Sequence, residues 1–255
     1  MQDYWKRIGL SGSEDLDTVQ ARHLQNIPFE NLSVLAGQGV RLDPESIWQK
    51  LVLDGRGGYC FEQNSLFEQV LLEQGYSLVA LAARVRRGVK ELRPHTHKLL
   101  RVEWRGQEFL VDVGFGGEGP ACPIPWQEGA WETQTGVIHR LVRENELWVL
   151  QVQTDDRLGW LDLYATDNRP YYPIDYEMMN HFTSTHPSSL FVNSMLVGRH
   201  LEDGYQVLFD GQLKTRSGGV TTISQLSSRD QILTTLESHF GLQAPAGLRV
   251  PPFDT

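Results

Sequence analysis

Arg56-Gly57-Gly58-Tyr59-Cys60-Phe61-Glu62 puts a cysteine behind a glycine-rich turn and at the head of a helical pattern. Phe61, Leu66, Phe67, Val70 and Leu71 follow at the spacings of one apolar helical face, and Gly75 marks the stop. A thiol in the first turn of a helix lies near unpaired backbone N–H groups and the positive end of the dipole, both of which favour thiolate. A lone cysteine is as readily a buried structural residue, so Cys60 by itself divides evenly between the two readings.

Further along, Thr96-His97-Lys98-Leu99-Leu100-Arg101-Val102-Glu103-Trp104 and Gln107-Glu108-Phe109-Leu110-Val111-Asp112-Val113 read as the arms of a β-hairpin. A two-residue turn at Arg105-Gly106 pairs Trp104 with Gln107, Leu99 with Asp112 and His97 with Gly114. His97 and Asp112 then sit diagonally on one face. A turn at Trp104-Arg105 would set them directly opposite, and either register leaves the side chains within reach. The other face carries Leu100, Val102, Trp104, Phe109, Val111 and Val113 and reads as core. Cysteine, histidine and aspartate in this order supply an attacking thiolate, an imidazole to take its proton and a carboxylate to orient the imidazole. A zinc reading through His95, His97 and Cys60 lacks a second ligand pair and leaves Asp112 without a role, so His95 reads as an exposed neighbour.

At these residues the chain resembles the arylamine N-acetyltransferases. The likeness rests on Arg-Gly-Gly-x-Cys at Arg56 to Cys60, Thr-His-x-Leu-Leu at Thr96 to Leu100 and Asp-Val-Gly-Phe-Gly at Asp112 to Gly116. It extends to Ile27-Pro28-Phe29-Glu30-Asn31-Leu32 upstream and to Ser184-Thr185-His186-Pro187-Ser188-Ser189-Leu190-Phe191 downstream. The resemblance implies an α+β fold with a helical N-terminal bundle carrying Cys60, a central β-barrel carrying His97 and Asp112, and a C-terminal α/β lid. The corresponding boundaries are 1–83, 84–190 and 191–255.

It further implies a ping-pong acetyl transfer, with acetyl-CoA as co-substrate and no resident cofactor or metal. Cys60 takes the acetyl group as a thioester and passes it to an arylamine, an arylhydrazine or an N-hydroxyarylamine. In such an enzyme Cys60 and His97 form an ion pair, and Asp112 orients His97. Phe29, Thr96, Phe115 and Phe191 match positions that border the aromatic substrate. Gly116, Gly117 and Gly119 form a backbone nest toward CoA, with Ser188 as a further CoA contact. Glu30 and Arg56 brace the nucleophile turn as an ion pair. The same triad also serves an amide synthase, a cysteine hydrolase or a transglutaminase-like enzyme.

The global balance narrows the partners. With 255 residues and a formal net charge of -9, the chain has no footprint for nucleic acid or for a basic membrane surface. Cys60 and Cys122 give no disulfide framework, and Cys122 reads as structural. No apolar h-region opens the N-terminus, which leads us to expect a reduced, cytoplasmic protein. The remaining pattern predicts a helix over Leu16 to Ile27, another capped by Asp43 with Pro44 first and Gly55 after it, and a hairpin near Glu144-Asn145. It also predicts a strand near Trp160 to Tyr164, a short helix around Tyr176 to His181 and hairpins at Asp203-Gly204 and Asp210-Gly211. A last helix starts with a capping box at Ser228 to Gln231 and ends at Gly241.

Overall fold

A computed structural model describes residues 1–89, 91–133, 135–153 and 159–254. Helices come first along the chain: α1 (Gln2–Ile8), α2 (Leu16–Asn26), α3 (Leu32–Leu35), α4 (Pro44–Trp48) and α5 (Cys60–Glu73), with a two-residue strand β1 (Phe29–Glu30) after α2. The caps follow sequence chemistry, since Asp15 accepts from Thr18 N at 3.3 Å and Asp43 from Ser46 N at 3.0 Å. One segment departs from expectation. The helix after Asp43 does not stay α-helical to Gly55 but widens into a π-turn over Gln49–Leu53. Asp54 N reaches back to Gln49 O at 2.8 Å, and the widened turn carries Lys50, whose ammonium meets Glu62 at 2.7 Å.

Strands β2 (Leu78–Val85), β3 (His97–Trp104), β4 (Gln107–Val111), β5 (Ile124–Pro125), β6 (Gly129–Glu132), β7 (Ile138–Glu144), β8 (Leu147–Gln153) and β9 (Trp160–Pro170) form an antiparallel, nearly closed barrel. Their order is β5-β4-β3-β2-β9-β8-β7-β6, so β9 crosses back beside β2. Arg105 and Gly106, at φ 54° and 75°, form the two-residue turn, and the ladder runs from Trp104 opposite Gln107 to Leu100 opposite Val111. That selects the diagonal register for His97 and Asp112. Away from its turn, where Glu103, Gln107 and Glu108 are exposed, both faces of this hairpin are buried. Leu99 and Leu110 join Leu81, Leu141 and Leu150 inside the barrel, while Leu100, Val102, Val111 and Val113 pack with Phe61, Phe67 and Val70 of α5. The β7–β8 turn falls at Asn145-Glu146, one residue later than the sequence suggests, because Glu144 pairs with Leu147 and Asn145 takes the left-handed conformation at φ 54°.

The rest of the chain comprises α6 (Pro173–Thr185), α7 (Leu190–Asn193), strands β10 (Leu196–Leu201), β11 (Gly204–Phe209), β12 (Gln212–Ser217) and β13 (Val220–Gln225), and α8 (Arg229–Phe240). Helix α6 is longer than its apolar residues indicate. Pro173 opens it, and the Asp175 carboxylate accepts from Tyr172 N at 2.9 Å. Asp210-Gly211 is a two-residue hairpin turn as read. Asp203-Gly204 is not, because Leu201 pairs with Gly204 and the turn residues are Glu202 and Asp203. Gly204 is instead required by close approach, since a Cβ there would lie 1.8 Å from Arg216 O. At α8, Ser228 caps Gln231 N at 3.3 Å, but the Gln231 amide oxygen reaches Ser227 N at 2.7 Å rather than returning to Ser228.

This second sheet has the order β1-β10-β11-β12-β13. Val197, Leu208, Ile232, Leu236 and Phe240 form its core with Leu32 and Leu35 from α3. The fold is α+β. Among the described residues no helix is long and apolar enough to cross a membrane.

Candidate active site

Cys60 is the first residue of α5, and its turn is fixed from three sides. Glu62 accepts from Tyr59 N at 3.1 Å and holds Lys50 at 2.7 Å, which sets the start of the helix. Burial pushes the Glu62 carboxyl up, against the opposing pull of Lys50. Glu30 pairs with Arg56 at 3.0 Å, as the sequence suggests, and also accepts from Leu32 N at 2.6 Å. Gly57 must be a glycine, because a Cβ would sit 2.1 Å from Pro28 O. The nucleophile turn therefore rests on buried charge and on backbone contact.

The imidazole comes from the barrel. His97 Nε2 meets Asp112 Oδ2 at 2.7 Å with both side chains almost fully enclosed, so the hairpin's diagonal contact forms. This leaves Nδ1 unused by Asp112, and Cys60 is near enough to add to the upward pull on the imidazole. The Cys60 Sγ also lies 3.4 Å from Thr96 O. Burial alone would lower the His97 value, but the Asp112 charge and hydrogen bond, with Cys60 beyond, carry it up to about 10. Burial works against the Asp112 charge, yet His97, Asn64 and Gly114 N together hold its value below the ordinary one. The geometry unites Cys60, His97 and Asp112.

Three supporting residues escaped the sequence reading. Asn64 donates to Asp112 Oδ1 at 3.0 Å and to Lys98 O at 2.7 Å, and accepts from Val113 N at 3.1 Å. It lies one helical turn after Cys60, so helical spacing was a usable signal. Tyr164 on β9 donates its hydroxyl to Asp112 Oδ2 at 2.9 Å, and no local pattern announces that. Gly114 is required because a Cβ would stand 2.6 Å from the Cys60 Cα.

The thiol opens into a cavity of about 450 Å³ lined by Phe29, Thr96, Phe115, Phe191 and Ser188, all of them singled out from sequence. Phe29 and Phe191 stand 5.8 Å apart by ring centroids, and Phe115 meets His97 edge-on at 5.3 Å. A second cavity of about 380 Å³ shares Phe29, Phe115, Arg87, Leu190 and Leu196 with the first and is lined by Gly116 and Gly117. Gly119 lies outside both linings. Its N–H donates to Gly116 O at 2.7 Å and closes the loop's turn. Ser188 lines only the first cavity and bonds His186 Nδ1 at 2.8 Å. His95 turns to the Tyr171 hydroxyl at 3.3 Å. Burial, helped by Asp17, pushes the Cys122 thiol up to about 12.

A family model described as N-acetyltransferase matches residues 13–248, which makes the protein an acyltransferase. An arylamine N-acetyltransferase of Escherichia coli is 39% identical over 210 residues, 80% of this chain and 74% of that protein. One from Mycobacterium tuberculosis is 37% identical over 250 residues, 94% of this chain and 88% of its own length. The structure of the Mycobacterium marinum arylamine N-acetyltransferase in complex with CoA superposes with a TM-score of 0.89 at 32% identity, covering 94% of this chain and 92% of that one. The chain belongs to the arylamine N-acetyltransferase family.

Proposed function

We propose that this protein transfers an acetyl group from acetyl-CoA to Cys60 and then to the nitrogen of an arylamine or arylhydrazine, or to the oxygen of an N-hydroxyarylamine. The observation that carries the reading is a Cys60 thiol that shares the wall of an aromatic cavity with a His97 tied to Asp112 at 2.7 Å. The M. marinum relative in complex with CoA supports the donor.

In the first half-reaction His97 takes the thiol proton, and Cys60 Sγ attacks the thioester carbonyl carbon. The bond to the CoA sulfur breaks, and that sulfur leaves with the proton from His97. The exchange of one thioester for another changes little in free energy. In the second half, the amine nitrogen attacks the acetyl-Cys60 carbon, His97 removes the nitrogen's proton and returns it to the departing Cys60. The amide product is the more stable of the two acyl compounds. Asp112 holds the imidazole in one tautomer and offsets its charge. Phe29, Phe115 and Phe191 supply faces for the aromatic ring, and acetyl-CoA enters and leaves as a co-substrate.

The test is intact mass after brief exposure to acetyl-CoA, followed by peptide mapping and a chase with aniline. One acetyl group on Cys60 that departs as acetanilide forms is the expected outcome. Unmodified protein whose Cys60 still reacts with iodoacetamide sinks acetyl-CoA as the donor. Initial rates should give parallel double-reciprocal lines, and intersecting lines would point to a ternary complex.

A further inference from the structure

The cleft has the opposite charge sign to the molecule around it. The chain carries a formal net charge of -9, yet the charged side chains lining the two joined cavities, among the described residues, are Arg87, Arg93 and Lys214 against the single carboxylate of Glu118, with His97 beside the thiol. Glu118 engages two of those cations at once. Its Oε2 accepts from Arg87 Nη2 at 2.7 Å and its Oε1 from Lys214 Nζ at 3.2 Å. Arg87 belongs to the turn after β2, Glu118 to the loop after Asp112, and Lys214 to β12. The carboxylate thus ties barrel to second sheet across the cavity that Gly116 and Gly117 line.

We infer that Glu118 is a resident anion that holds Arg87 and Lys214 in place and competes with the phosphates of the entering acyl-CoA, so that it sets how tightly the donor is held and how readily CoA departs. The inference rests on the acetyl-CoA reading above. A phosphate arriving at either cation meets a partner already bonded, and it must displace a carboxylate from partly exposed groups; the Glu118 side chain is 19% exposed and that of Arg87 46%. Ion pairs of this exposure exchange at small cost, and removing the competing charge strengthens the cleft's attraction for a polyanion. The effect weakens with salt.

The experiment compares acylation of Cys60 by acetyl-CoA with acylation by p-nitrophenyl acetate, which has no phosphate, in wild type, Glu118→Gln, Lys214→Gln and Arg87→Gln. The quantity read is the ratio of the two efficiencies, which cancels any change at the thiol itself. Glu118→Gln should raise that ratio by about fivefold at low ionic strength and strengthen product inhibition by CoA. Lys214→Gln and Arg87→Gln should lower the ratio, and all differences should shrink at 0.5 M NaCl, a condition chosen at about a 4 Å screening length. A Glu118→Gln ratio that is unchanged or reduced overturns the inference. Wild type acylated by the aryl ester but not by acetyl-CoA overturns the donor reading itself, a result distinct from failure of the Glu118 effect.

Discussion

The thiol and its base are held by different physics. Cys60 is placed by a helix start clamped by Glu62, Lys50, Glu30 and Arg56, whose carboxylates are buried, together with a backbone contact at Gly57 that admits no side chain. His97 and Asp112 are placed by strand register, then secured by Asn64 from the helix and Tyr164 from across the barrel. One half depends on charge burial, which fails abruptly when a partner is lost. The other adds to its buried His97–Asp112 pair a set of distributed supporting hydrogen bonds, and the loss of one of these fails by degrees.

Four variants put that contrast under strain. The largest effect belongs to Cys60→Ala, which should abolish the acetyl adduct and all turnover while leaving the circular dichroism spectrum unchanged. Retained turnover would remove Cys60 from the chemistry. Asp112→Asn should keep the shape and cost about two to four orders of magnitude in kcat/KM, through the wrong imidazole tautomer. A rate within a few-fold of wild type would break the proposed role. Glu62→Ala should cost about 3 kcal/mol of stability, since it leaves Lys50 with only the longer contact to Glu30 at 3.7 Å and frees Tyr59 N. Urea unfolding reads this directly, and a midpoint shift worth under about 1 kcal/mol would show that the clamp is not held by charge. Tyr164→Phe removes one of several bonds to Asp112, so we expect a loss of about 1 kcal/mol and an activity change of tenfold or less. A collapse as large as that of Asp112→Asn would place Tyr164 at the centre of the base's support.

The pair also has a pH signature. His97 is raised from 6.5 to about 10, so its contribution to stability is full below about pH 6.5 and is lost as pH climbs through 10. Asp112 is lowered from 3.8, so its share is present above that value and lost in acid. The difference in melting temperature between wild type and Asp112→Asn should therefore be widest between pH 4 and 6.5 and narrow toward pH 10. A constant gap across that range would contradict the coupling.

Much of this was legible in the sequence where the cause is local. The helix behind Cys60, the Arg105-Gly106 turn and the diagonal contact of His97 with Asp112 all follow from spacing within a few residues. Phe29, Phe115 and Phe191 came from family motifs, and the structure brings all three to one cavity. What resisted reading depends on distance along the chain. Tyr164 reaches Asp112 only because β9 returns beside β2, a pairing no local pattern encodes. Gly204 was misread because the glycine serves a neighbouring strand's carbonyl and not the turn preceding it. The π-turn at Gln49–Leu53 was hidden because Lys50 is recruited by Glu62, which follows on the next helix. The resemblance points Gly119 toward CoA, whereas its N–H is used inside the loop, on Gly116 O at 2.7 Å.

Strand β1 has two residues, and they join regions made at very different times. Phe29 pairs with Gly198 on one side and bridges Gly58 on the other, with Glu30 N bonded to Gly58 O at 3.0 Å. On a translating ribosome, a chain that has not yet reached β10 already contains Cys60, His97 and Asp112 but lacks the strand that pairs with the other side of β1. The turn that carries Cys60 is thus made early and gains its outer strand late.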